Sequence, residues 1–305
     1  MLFRSSENSN TLTSIDTSNY SRSTLTLSTN TLVDFILNYN DSLSFGLTNN
    51  SIIVYDNTDQ SVLQTLSLGS HNGNILYSYD GTTEKLYVFG KSVWSSNNAN
   101  TAYIITLPTT KAQYATTNWT NNIYTLNLPA NHKASAVNIE NYSLYIGLQN
   151  NYMYIYDITA NIPNLIAAVF DNAMSGISDI AINRQNGDAY VLSYSGYVNV
   201  IDAGTNTIKR TIALPSTGTM IIAIADNGSY FYVIDVDASG VLVYSTSPII
   251  GPLINSITVG ALPIDILLLN NINVTPTPTP SPTQTATVTT TPTPTPTITK
   301  TPTQT

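Results

Sequence analysis

The sequence predicts an all-β protein: a six-bladed β-propeller over residues 1–271, closed by N- and C-terminal strands, followed by a disordered Thr/Pro-rich tail over residues 272–305. A seven-bladed propeller or a two-domain sandwich are the alternatives. Three observations lead there. A pair of short strand signatures recurs along the chain, hairpin-type turn residues lie between strands, and the composition breaks near residue 272.

The first signature is an alternating strand that ends on an acidic or small polar residue. It occurs at Thr11–Asp16, Ile52–Asp56, Ala102–Thr106, Met153–Asp157, Val198–Asp202 and Val241–Ser245. A Thr-apolar-polar-apolar segment follows each copy, at Thr24–Leu27, Thr65–Leu68, Thr125–Leu128, Thr211–Leu214 and Ser256–Val259, with Ile166–Val169 a degenerate copy. Alternation of period two is the pattern of a strand with one buried face. Two further strands fit between successive pairs, such as Ile180–Asn183 with Ala189–Ser193, and Ile221–Ile224 with Tyr230–Ile234. Their turns, Asn186-Gly187-Asp188 and Asp226-Asn227-Gly228, hold the residue types that tolerate positive φ. Four strands per unit at a period of about 40 to 60 residues predict propeller blades. The first unit lacks an innermost strand, which Ile264–Leu269 can supply, so both chain ends are expected to complete one blade and remove open sheet edges.

Charged residues make up only 9% of the chain, so Asn, Ser, Thr and Tyr must cover the surface. The net charge of -8 argues against nucleic acid as a partner, since a phosphate backbone requires a positive field. No run of apolar residues is long enough for a membrane span, and no secretion signal is recognisable at the start. Absence of cysteine removes disulfides and thiolate chemistry together.

The stretch Asp188–Ser245, through Tyr190-Val191, Val200-Ile201-Asp202, Thr205-Asn206-Thr207-Ile208 and Tyr232-Val233, resembles the YVTN-type propeller repeats of archaeal surface-layer proteins. That resemblance covers about two blades and implies a surface or binding role; the repeat marks fold and not activity. From Thr275 the chain reads Thr-Pro-Thr-Pro-Thr-Pro-Ser-Pro, with a near copy from Thr291. Proline at alternate positions removes backbone donors and favours polyproline II, which predicts a solvated, semi-stiff spacer. The tail is similar to that of Thr-Pro-repeat proteins of filamentous archaeal viruses. The resemblance implies a virion or infected-cell location, with the archaeal cell surface as the alternative.

Residues able to carry chemistry are few. Aligning the innermost strands places Asp34, Asn74, Ser135, Asp179, Met220 and Asp265 at one position, a ring at a mouth of the central channel. The carboxylates of Asp34, Asp179 and Asp265 form a candidate Ca²⁺ site, because hard cations take oxygen ligands. The competing reading is that each accepts hydrogen bonds from backbone N–H groups where its strand begins. Asp235-Val236-Asp237-Ala238-Ser239-Gly240 mimics the opening of a calcium loop, but Thr246 stands where the closing acid belongs, so a hairpin turn is expected. Asp16, Asp56, Asp157 and Asp202 are expected to form turns. His71 and His132 precede adjacent innermost strands and could meet at the channel mouth, but surface loop histidines without a role are the expected reading. Calcium-dependent lactonases with six blades offer a Glu and Asn cluster in the channel, and no Glu aligns there. Two long loops, Lys91–Asn100 with Trp94 and Leu107–Asn121 with Tyr114 and Trp119, offer candidate contact aromatics.

The expectation is a protein without enzymatic activity or a required cofactor, binding an unidentified protein or glycan. A calcium-dependent hydrolase or lactonase, and an accumulating structural protein without a specific ligand, are the alternatives.

Overall fold

The computed structural model describes residues 2–5, 11–15, 22–26, 32–38 and 40–259, apart from 41, 60, 69–72, 91–99, 115, 117–121, 226 and 248–252. The chain divides into two compact units, residues 1–268 and 269–305. The strand expected over Ile264–Leu269 and the Thr/Pro tail lie outside the described residues.

Every described sheet is an antiparallel meander in chain order. A three-stranded sheet opens the chain, with β1 (Leu2–Ser5), β2 (Thr11–Ile15) and β3 (Arg22–Thr26). Five four-stranded sheets follow. The second sheet holds β4 (Leu32–Leu37), β5 (Leu43–Thr48), β6 (Ser51–Asp56) and β7 (Val62–Ser67). The third holds β8 (Ile75–Tyr79), β9 (Glu84–Phe89), β10 (Thr101–Thr106) and β11 (Ile123–Asn127), with a short helix α1 (Lys111–Tyr114) between its last two strands. The fourth holds β12 (His132–Asn138), β13 (Ser143–Leu148), β14 (Tyr152–Asp157) and β15 (Asn164–Phe170). The fifth holds β16 (Ile177–Ile182), β17 (Ala189–Ser193), β18 (Tyr197–Asp202) and β19 (Thr207–Ala213). The sixth holds β20 (Thr219–Ile224), β21 (Tyr230–Asp235), β22 (Gly240–Ser245) and β23 (Leu253–Thr258). The innermost strands β4, β8, β12, β16 and β20 pack in succession, each against the next.

Burial departs from the one-face expectation in a way that explains the pattern. Strands β5, β6, β13 and β17 are buried at every position. Their side chains alternate all the same, because the two faces look into different seams. Leu86 and Val88 of β9 join Phe45, Leu47, Ile52 and Val54 of the second sheet, whereas Tyr87 and Phe89 join Leu144, Ile146 and Leu148 of the fourth. Tyr145 of β13 then faces Ala189, Val191 and Ile201 of the fifth sheet, and Tyr190 and Leu192 of β17 face Phe231, Val233 and Leu242 of the sixth. The core is therefore a row of separate seams, each closed by two sheets packed face to face. The outermost strands are the more exposed, as in β19, where Thr207, Lys209, Thr211 and Ala213 face outward, and in β23, exposed at every position.

Candidate functional site

Four of the five described innermost strands share an irregularity near their starts, β8 being in continuous register. Register shifts fall between Leu32 and Asp34, His132 and Ala134, Ile177 and Asp179, and Thr219 and Ile222. A bulge re-aims the side chain beside it. Here it turns each Asp toward the neighbouring sheet. Asp34 accepts from the Phe35 N–H at 2.8 Å and, across the seam, from the Ile75 N–H of β8 at 2.9 Å. Asp179 repeats the arrangement with the Ile180 N–H at 2.8 Å and the Ile222 N–H of β20 at 3.0 Å. Between the third and fourth sheets Asn74 Nδ2 donates to Ser135 Oγ at 3.1 Å. These ring positions thus join consecutive sheets. Asp265 lies outside the described residues, and Met220 is exposed. Among the described residues no three His, Cys, Asp or Glu side chains come together as a metal site would require.

A second set of bonds holds the other end of the same strands. Buried Asn138 donates from Nδ2 to the Gly187 carbonyl at 2.9 Å, and buried Asn183 donates to the Gly228 carbonyl at 3.2 Å, in each case a turn of the next sheet. Their Oδ1 atoms accept from the Glu140 and Gln185 N–H groups, so neither amide is left half-used. Gly228 has φ of 65°, and a Cβ there would lie 2.5 Å from Asn183 Oδ1. Turn conformation and close approach both require glycine at that point. Asn38, at the matching place, instead turns back to accept from the Leu43 N–H of its own sheet. An Asn at the end of three innermost strands is the available sequence signal.

Cations are used at the seams as well. Lys85, only 3% exposed, donates from Nζ to the carbonyls of Ile158 and Ala160 in the following sheet at 2.9 and 2.8 Å. Burial pulls its ammonium below the ordinary lysine value. Arg210 reaches the carbonyls of Thr246 and Ser247 in the next sheet, and Lys111 pairs with buried Asp56 in the preceding one. Lys209 sits between Asp188 and Asp202, and its bond to Asp188 raises its pKa.

Tyr114, one of the three candidate contact aromatics, is placed differently from the sequence expectation. Tyr114 is buried at 2% exposure in the seam of the second and third sheets, tilted against Phe45 and donating its hydroxyl to Glu84 Oε2 at 3.2 Å. Helix α1 turns the side chain inward, so this residue offers no exposed contact. Trp94 and Trp119 lie outside the described residues, as does His71. His132 is the first residue of β12 and not a surface histidine: it is 2% exposed, stacked on Phe89 with centroids 4.5 Å apart, with Nδ1 3.2 Å from the Gly90 carbonyl. Asp235–Gly240 is a hairpin turn between β21 and β22, where Asp235 accepts from the Ala238 N–H. Asp56, Asp157 and Asp202 accept from backbone N–H groups of the turns that follow them.

No protein-family profile matches the sequence, and no curated protein does. Solved structures do match. A protein of unknown function from Desulfotomaculum acetoxidans DSM 771 superposes with a TM-score of 0.62 at 14% identity, over 84% of this chain and 81% of that one. A candidate 6-phosphogluconolactonase from Bacteroides uniformis ATCC 8492 gives 0.62 at 12% identity, over 84% and 81%. A chain of the mitotic checkpoint complex gives 0.61 at 13% identity, over 80% and 70%. Likeness at this identity concerns fold alone. Sheet order, face-to-face seams and these neighbours together define a multi-bladed β-propeller. Among the described residues no helix is long and apolar enough to cross a membrane.

Proposed function

We propose that the chain is a non-enzymatic binding or structural protein of an archaeal virus or archaeal cell surface, its propeller a rigid head and its Thr/Pro segment a spacer. One observation carries the non-enzymatic part. Asp34, Asp179, Asn74 and Ser135, the polar side chains aligned where a channel site would form, hold sheet to sheet. A carboxylate with both oxygens engaged by backbone N–H groups is a poor ligand and a poor base. The surface role rests on the YVTN-like stretch and the Thr-Pro tandem. The rival calcium-dependent lactonase draws on the name of one neighbour.

Thermal unfolding of the full chain in excess calcium and in chelator separates the readings, because a ligand that binds only the folded state raises its stability. Equal melting temperatures are expected. A calcium-dependent rise that disappears in the Asp34→Ala, Asp179→Ala, Asp265→Ala triple variant would favour the hydrolase.

A further inference from the structure

At the seam of the fifth and sixth sheets, the linker from β19 to β20 borders an open hollow of about 480 Å³. Ser195, Tyr197, Leu214, Ser216, Thr217 and Asp237 are among the residues that line it. Its size falls within the roughly 300–1,000 Å³ of small-ligand sites.

The walls are stitched in place. The Leu214 N–H donates to the Gly196 carbonyl at 2.8 Å and the Val236 N–H to the Gly218 carbonyl at 3.0 Å. Ser216 Oγ accepts from the Gly218 N–H at 3.1 Å and donates to Asp235 Oδ1 at 3.0 Å. Gly218 is what lets Asp237 lie where it does, since a Cβ on residue 218 would sit 2.2 Å from Asp237 Oδ2. A wall held this way needs no ordering when a ligand arrives.

Asp56, Asp157 and Asp202 use their carboxylates in turns, whereas the Asp237 carboxylate, the Thr217 hydroxyl and the Tyr197 hydroxyl make no hydrogen bond with any described residue. The Tyr197 ring is 37% exposed beside them. A carboxylate accepts hydroxyl protons, serine and threonine oxygens accept or donate, and an aromatic face packs against the C–H face of a pyranose ring. Among the described residues no cation lines the hollow, which disfavours anionic ligands, and a single carboxylate is too little for a polyamine.

We propose that this hollow recognises a neutral sugar residue, with Asp237 accepting from ring hydroxyls and Tyr197 packing against the ring. The inference rests on the binding-protein reading and names its ligand class. Saturation-transfer NMR on the full chain tests it with methyl α-mannoside, methyl α-glucoside and N-acetylglucosamine as probes, and spermidine as the cationic comparison. At least one sugar is expected to receive saturation, with binding weakened about tenfold in both Asp237→Asn and Tyr197→Ala. Both substitutions are at exposed positions, so unchanged melting temperatures are the accompanying control. Silence from all three sugars, signals that persist in both variants, or binding of spermidine alone would overturn the site. None of those outcomes touches the non-enzymatic reading, which the calcium experiment judges separately. Chemical conversion of a bound sugar would overturn the non-enzymatic reading and leave the site standing.

Discussion

Both oxygens of Asp179 are taken by backbone N–H groups, one on its own strand and one on the innermost strand of the next sheet, and Asn183 does comparable work at the strand's far end. Removing the Asp179 side chain leaves two backbone N–H groups at a packed seam without its oxygens, which costs about 1–3 kcal/mol; when Asn183 is removed the Gly228 carbonyl keeps its bond from the Thr246 hydroxyl, so less is lost there. Asp179→Ala is therefore expected to lose that much in urea unfolding, Asn183→Ala less, and Ser178→Ala, the half-buried residue just before Asp179, least; equal curves for all three would show that the seam bonds contribute nothing. The pH profile follows from other residues. Backbone N–H groups of Thr83, Thr159 and Thr205 lead the causes that hold Asp80, Asp157 and Asp202 below the ordinary 3.8. The folded chain then binds those protons less readily than the unfolded one, so their stabilisation is present above about pH 4 and lost as pH falls further. At the alkaline end burial pushes Tyr87 from 10.0 up to about 12 and raises Tyr145, Tyr156 and Tyr244 too. Their contribution is complete below pH 10 and lost above it as the unfolded tyrosines ionise; Lys85, shifted the other way by burial, opposes this with one group. Melting temperatures measured across pH should form a plateau that falls below about 4 and above about 10; a steady slope through neutrality would contradict this assignment.

Strands were legible in the sequence because their faces are simple. The third strand of every unit was found within a residue or so, and Ala189–Ser193 matches β17 end for end. What alternation could not reveal is where each face points: for β9 and β13 the second face is not solvent but another seam. Tyr114 shows the same limit, since nothing local indicates that α1 will turn a loop tyrosine toward Phe45 and Glu84. The ring of Asp34 and Asp179 was aligned correctly by repeat position. Whether its oxygens face the channel or the adjoining sheet depends on a bulge, which leaves no mark in residue type. The hollow at Tyr197 and Asp237 has no signal in the sequence, because its residues come from two turns and a linker. The bulge itself is testable. Deleting Ser178 shortens β16 by the residue that shifts its register, and a one-residue slip sends the preceding side chains to the wrong faces. Loss of soluble protein is expected for the deletion and near-normal folding for Ser178→Gly; a well-folded deletion would mean that the bulge is dispensable.

At the scale of the whole molecule, the three-stranded first sheet is one strand short of its neighbours. If a strand from Ile264–Leu269 completes it, removing those residues opens a sheet edge and should cause aggregation, whereas truncation before Thr275 should leave the melting temperature unchanged. Indistinguishable behaviour of the two truncations would sink closure by the chain ends. The spacer assignment predicts sharp, random-coil resonances for residues 275–305 that vanish on limited proteolysis without disturbing the head. Extended, that segment would reach on the order of 90 Å. The seam bonds have one more consequence. Asp34 to Ile75, Asp179 to Ile222, Asn138 to Gly187 and Asn183 to Gly228 are separated by 41, 43, 49 and 45 residues. Each separation is one structural period, so a unit carries the side chain that grips its successor and the backbone groups that its predecessor grips. A gene segment of that length copied in tandem would bring both halves of a matching joint with it, and a propeller of this type can gain or lose a blade by recombination without first inventing an interface.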